Sequence, residues 1–165
     1  AARELVARGY SNVGYLGGPT DATSAQDRLR GFQEEIARHP SVSTSHSFAG
    51  AYSFEAGRAE MLRLLAGDPA EAYFCGDDVL SIGALSAIQD HNMEPGHDIG
   101  IIGLNDMEMS RWENINLTTI HQPIKQIIQS SVNLLEEMLD DPDRYPEARI
   151  FPCQVIERGT LRPRP

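Results

Sequence analysis

Short strand-like runs alternate with helix-length amphipathic stretches along almost the whole chain, and this rhythm restricts the possible architecture more than any other feature. Strands are predicted at 12–16, 42–48 (polar and weakly marked), 72–75, 98–102, 117–120 and 150–156. Between them, helical spacing predicts helices over 20–38 (Leu29, Phe32 and Ile36 inward), 53–65 (Ala56, Met61, Leu62 and Leu65 inward), 78–91 and 123–139. Pro40 and Gly67 stop the first two helices, and Pro123 opens the last. Strands alternating with helices of this length build βαβ units around a parallel sheet. Right-handed crossovers then collect the carboxyl ends of the strands on one edge, where open α/β sheets bind ligands. The expected class is α/β, a Rossmann-like parallel sheet flanked by helices.

That edge would carry residues 17–25, 49–52, 76–78, 104–106 and 121–122. The segment from Gly100 to Pro123, GIIGLNDMEMSRWENINLTTIHQP, is its densest part. One apolar strand stops at Gly103 and presents Asn105 and Asp106. A second, LTTI, runs out into His121 and Gln122. Two strand ends thus deliver polar side chains to one small-molecule cleft. The helix beginning at Pro123 carries a full apolar stripe (Ile124, Ile127, Ile128, Leu134, Leu135, Met138), which is expected to be covered by the rest of the chain, a partner or a swapped copy.

Charge narrows the function classes. The chain has 24 acidic and 14 basic residues among 165, a net charge of −10, and Lys125 is its single lysine. Nucleic-acid affinity comes largely from Lys and Arg on phosphates, so direct DNA contact is expected from another segment. No apolar run is long enough to span a membrane. The opening AARELVARGY reads as the end of an amphipathic helix with Gly9 as its stop, without the apolar core of a signal peptide. A chain that opens inside a helix is expected to be part of something longer. Cys75 and Cys153 form no CxxC pattern and read as reduced thiols of a cytoplasmic protein.

The candidate site residues each have a plain alternative. Asp77 and Asp78 could hold magnesium as adjacent carboxylates at a strand end, or Asp78 could cap the helix it opens. The reading adopted is Asp78 as cap and Asp77 as ligand contact. Arg28 could fork onto vicinal hydroxyls or a carboxylate, or pair with a surface acid. Tyr52, at a strand-to-helix corner, could stack on a sugar ring, or staple the helix start. No histidine pair has metal-ligand spacing, and no Ser, Cys or Lys has the setting of a nucleophile. No cofactor is implied. The composition of the edge, one arginine, one aromatic, acids and amides, is that of a carbohydrate or polar-metabolite site.

Five segments in order, RLRGF (28–32), GDDVLSIGAL (76–85), DIGIIGLND (98–106), LTTIHQP (117–123) and IERGT (156–160), together resemble the effector-binding region of LacI-family bacterial transcription regulators. The resemblance covers nearly the whole chain. It implies the second lobe of a two-lobed, periplasmic-binding-protein-like fold plus part of the first lobe. Residues 1–9 would end a first-lobe helix, and 10–106 would form the second lobe. Residues 107–140 would be a crossover with a strand and helix of the first lobe, and 141–165 a return strand and tail. The DNA-binding helix-turn-helix would be absent from this chain. By the same resemblance Arg28, Tyr52, Asp77, Asn105 and Gln122 would contact a sugar-like effector, and the protein would be a non-enzymatic, cytoplasmic homodimer. Asp77 stands where the family often has asparagine, Asn105 where it more often has aspartate, and Ile128 where a small residue is usual. A periplasmic sugar-binding protein of the same shape is the nearest alternative. A magnesium-dependent α/β enzyme using Asp77 and Asp78 is the one from a different class.

Overall fold

The strand–helix alternation is realised in a computed structural model that describes residues 1–141, 143, 145 and 147–165. The elements run α1 (Ala2–Ala7), β1 (Asn12–Gly17), α2 (Thr23–Ile36), β2 (Ser43–Phe48), α3 (Phe54–Leu65), β3 (Ala72–Cys75), α4 (Asp78–Asp90) and β4 (Gly100–Leu104). A single 3-10 turn (Glu108–Arg111) leads to β5 (Thr119–His121), α5 (Ile124–Asp140) and β6 (Gln154–Ile156). The strands form one sheet in the order β2-β1-β3-β4-β5-β6. β1 to β5 are parallel, and β6 closes the edge antiparallel to β5, with Ile120 opposite Val155.

Burial explains why some strands are plainly marked in the sequence and others are not. β3 and β4 are buried at every position, as continuous apolar runs in a sheet covered on both faces must be. β2 is the outer strand, exposed over its first four residues, so serine, threonine and histidine suffice there. Side chains alternate across the sheet. Ile102 joins Tyr15, Phe32, Phe74 and Ile120 in the layer under α1 and α2. Its neighbour Ile101 joins Leu16, Met61, Tyr73, Leu80 and Ile88 in the layer under α3 and α4.

Three boundaries differ from expectation for physical reasons. The helix expected from residue 20 starts at Thr23, because Pro19 and Ala22 close a turn first, with Ala22 N–H donating to the Pro19 carbonyl at 3.1 Å. The strand expected over 150–156 is formed only over Gln154–Ile156, where β5 offers a partner. The solvated turn expected at 140–146 falls partly on Pro142, Arg144 and Pro146, which lie outside the described residues.

The stripe of α5 does not dock on the sheet layers. No described residue of this helix is buried, and Ile124, Ile128, Val132, Leu135 and Met138 are open to solvent. α5 follows the three-residue strand β5, which lies between β4 and the edge strand β6. The extended stretch at 149–151 accompanies it, with Arg149 donating to the Ser130 carbonyl (3.3 Å) and to Glu137 (2.9 Å).

Candidate functional site

The five candidate residues stand at the carboxyl edge of the parallel strands and form two groups. Arg28, Tyr52 and Asp77 make the first. Arg28 sits in the second turn of α2, and its Nη1 donates to the Gly76 carbonyl (3.1 Å) and to the Tyr52 hydroxyl (3.3 Å). Tyr52 directly precedes Ser53, which caps α3 by accepting from Ala56 N–H at 3.1 Å. The tyrosine ring lies so close over Gly18 that a Cβ there would fall 2.2 Å from it. The glycine turn after β1 is therefore a seat for this ring, not a phosphate cradle. Behind the turn, the Tyr15 hydroxyl donates to the Ala25 carbonyl at 3.0 Å and anchors the approach to α2.

The cap expected at Asp78 is supplied by Asp77 instead. Asp77 is the N-cap of α4, its Oδ1 accepting from Leu80 N–H at 2.7 Å. Burial raises its carboxyl above the usual value, against the pull of the Leu80 N–H and the Arg28 guanidinium. Asp78 is no cap. It is fully buried, with Oδ1 accepting from the Thr119 hydroxyl (2.5 Å) and Oδ2 from Met107 N–H (2.7 Å). Burial raises this carboxyl too, more than the bonds from Thr119 and Met107 lower it; the charges of Asp106 and Asp77 add to the rise. Each Asp78 oxygen is already committed, so the pair does not offer two free carboxylates to one cation. Among the described residues, no group of three or more acids, histidines and cysteines could hold a metal ion.

Asn105 and Gln122 make the second group. Gln122 Nε2 donates to Asn105 Oδ1 at 2.6 Å. Both line a cleft of about 570 Å³ with His121 and the first turn of α5. Next to Asn105, the Asp106 side chain is only 5 % exposed and pairs with the guanidinium of Arg158 at 2.6 Å and that of Arg111 at 3.1 Å, with the His121 ring nitrogen 3.2 Å away. Burial opposes its ionised form, but the bonds and charges of Arg158 and Arg111 outweigh burial, and the carboxyl lies below its ordinary value. Arg158 comes from the closing IERGT segment and also donates to the Leu117 carbonyl at 2.7 Å.

Between them the two groups offer a guanidinium, an aromatic ring, one carboxylate and two amides, a set that both donates to and accepts from hydroxyls. Cys75 adds no nucleophile, since burial pushes its thiol up to about 12. Sequence reasoning did not assign Asp106, Thr119 and Arg158, whose partners lie 41 and 52 residues apart. A polar pair in an otherwise apolar strand (Thr118, Thr119) was the one local signal available.

Fold and edge together define a class: an α/β lobe of the periplasmic-binding-protein type. A family model for the periplasmic binding protein-like domain matches residues 2–161. The chain is 29 % identical over 167 residues to the HTH-type transcriptional repressor CytR of Escherichia coli (strain K12), covering 100 % of this chain and 49 % of CytR. It is 28 % identical over 168 residues to the HTH-type transcriptional repressor PurR of Aliivibrio fischeri (strain MJ11), covering 98 % and 49 %. Among solved structures, the Lac repressor dimer bound to operator and the anti-inducer ONPF is similar with a TM-score of 0.88 at 28 % identity, over 98 % of this chain and 56 % of that one. A LacI-family transcriptional regulatory protein from Corynebacterium glutamicum gives 0.85 at 28 % identity, over 99 % and 62 %. The chain belongs to the periplasmic-binding-protein-like domain family. It spans about half the length of the curated relatives it matches.

Proposed function

We propose that this chain senses a sugar or similar small polar effector for a LacI-type transcription regulator, which acts in the cytoplasm as a homodimer and binds DNA through a separate N-terminal helix-turn-helix. The observation that carries this reading is the convergence of Arg28, Tyr52 and Asp77 on one sheet edge that also holds the Asn105–Gln122 pair. In this reading residues 10–106 are the second lobe, and 1–9 and 107–140 belong with the first. Asn105 and Gln122 then bond to each other from the two walls of the effector cleft. An effector would exchange its hydroxyls for the bonds that Arg28 makes to Tyr52 and that Gln122 makes to Asn105. Occupancy shifts the lobe equilibrium only as far as the effector binds one arrangement better than the other, and the coupling to DNA is reciprocal. The net charge of −10 suits this division of labour, with phosphate contact left to another segment.

The test is a thermal-shift screen of mono- and disaccharides on the full-length regulator, followed by calorimetry and operator binding. A stabilising sugar is expected to lose its effect in Arg28→Ala and in Gln122→Ala, and to change operator affinity in the parent. A sugar that binds both variants as well as the parent would refute the assigned site. A complete panel without a hit would refute the sugar class.

A further inference from the structure

Asp78 is 0 % exposed, and no cation among the described residues pairs with it. A buried carboxylate without a counter-charge is costly, so its hydrogen bonds must fix something. They join two separate pieces of chain. Met107, whose N–H donates to Oδ2, lies two residues after Asn105. Thr119, whose hydroxyl donates to Oδ1, lies three residues before Gln122.

The backbone between these points needs such a clamp. Asn105 and Asp106 are consecutive non-glycine residues at φ +118° and +54°, a conformation that L residues adopt at a cost. Three amides in a row are each accounted for. Asn105 N–H donates to the Ile120 carbonyl at 2.9 Å, Asp106 N–H to the Thr119 hydroxyl at 3.4 Å, and Met107 N–H to Asp78 at 2.7 Å. The Thr119 hydroxyl accepts from Asp106 while donating to Asp78, so carboxylate, hydroxyl and loop form one connected unit. The loop so held directs Asn105 Oδ1 to Gln122. Gly103 belongs to the same unit, because a Cβ there would fall 2.3 Å from Asp78 Oδ1.

We infer that Asp78 is a positioning residue: from beneath the sheet edge it holds the loop of Asn105 and the strand of Gln122 in register, so that the two amides meet. Its neighbour Asp77, the N-cap of the same helix, is a candidate contact in its own right, which places one helix start behind three of the five site residues. The consequence for effector affinity rests on the functional reading above; the geometry does not.

The experiment uses 15N-labelled chain without any ligand, so its outcome is independent of the sugar screen. Amide exchange at 105–107 and the side-chain NH2 resonances of Asn105 and Gln122 are compared with the exchange of Ile101, a core reference. In Asp78→Ala, Asp106 and Met107 are expected to exchange at least tenfold faster relative to Ile101, and the Gln122 NH2 pair to move to the shifts of a solvated glutamine. Asp78→Asn, which keeps one acceptor, is expected to restore protection of Met107. Thr119→Val, which removes only the hydroxyl, is expected to expose Asp106 while Met107 stays protected. Unchanged protection at 105–107 and an unmoved Gln122 signal in Asp78→Ala would overturn the assignment. If that variant does not fold, Thr119→Val decides: unchanged Asp106 exchange together with unchanged Gln122 resonances overturns it equally.

Discussion

Replacing Arg158 by methionine isolates the electrostatics of the loop after β4. The Arg158 side chain is 13 % exposed and Asp106 5 %, and their closest atoms are 2.6 Å apart. Methionine keeps an apolar stem of similar reach but removes the charge and the bond to the Leu117 carbonyl. Stranding one partner of a buried pair costs about 3–5 kcal/mol. Asp106 retains Arg111 and His121, 61 % and 46 % exposed, so the loss belongs at the lower end of that range. The expected destabilisation at pH 7 is about 3 kcal/mol, or roughly 6–12 °C in Tm for a domain of this size. The pH dependence has a definite sign. The fold holds the Asp106 carboxyl below its ordinary value, so its contribution is present above the unfolded carboxylate range and is lost as pH falls through the folded pKa. The gap between parent and variant should therefore narrow below about pH 4. Urea unfolding followed by tryptophan fluorescence is well placed to read this, because Trp112, the single tryptophan, directly follows the 3-10 turn that contains Arg111. A gap under about 1 kcal/mol at pH 7, or one that widens on acidification, would refute the reasoning.

The two thiols should differ sharply: Cys153 is exposed and Cys75 buried, so Ellman's reagent should titrate one thiol in the native chain and two in denaturant. Two fast thiols in the native state would contradict the packing of β3. Val132→Glu and Leu135→Glu should leave urea stability of this chain within about 0.5 kcal/mol, since both side chains are exposed. A larger loss, or a change in sedimentation, would show the stripe to be occupied. Ser53→Ala removes the cap of α3 and should cost about 1 kcal/mol by urea unfolding, with Ser53→Asp restoring it; an indifferent alanine variant would contradict the cap.

The interior of the fold was legible because buried strands have little freedom in composition. Tyr73 and Phe74 in β3 and Ile101 and Ile102 in β4 announce themselves as apolar runs, and Ala72–Cys75 matches its expected bounds residue for residue. The outer elements were less legible because their limits depend on partners. β6 extends only as far as β5 can pair with it, and the stripe of α5 has the pattern of a covered helix but buries no residue among the described residues. At the candidate site, Tyr52, Asp77, Asn105 and Gln122 follow strand ends as the alternation implied, and Arg28 lies on the helix expected for it, but the cap of α4 is Asp77 and not Asp78. An acid one position before a helix and an acid in its first turn look alike in sequence. What tells them apart lies far off in sequence: Asp78 bonds the Thr119 hydroxyl 41 residues away, and Asp77 is left to cap.

The meeting of the chain's early and late residues bears on how the molecule comes into being. Glu4 in α1 accepts from Arg8 and Arg164, Arg162 N–H donates to the Tyr10 hydroxyl, and its guanidinium stacks 3.7 Å over the Tyr10 ring. The Thr160 carbonyl and hydroxyl both bond to Ile101, in the middle of the sheet. Apart from Arg8–Glu4, these contacts span 59 to 160 residues, and such long closures are slow to form. On the ribosome, α1 and the flank of β4 must therefore wait, unclasped, until residues 160–164 have emerged. Until then that surface lacks its late partners, and transiently exposed surface of this kind is prone to aggregation.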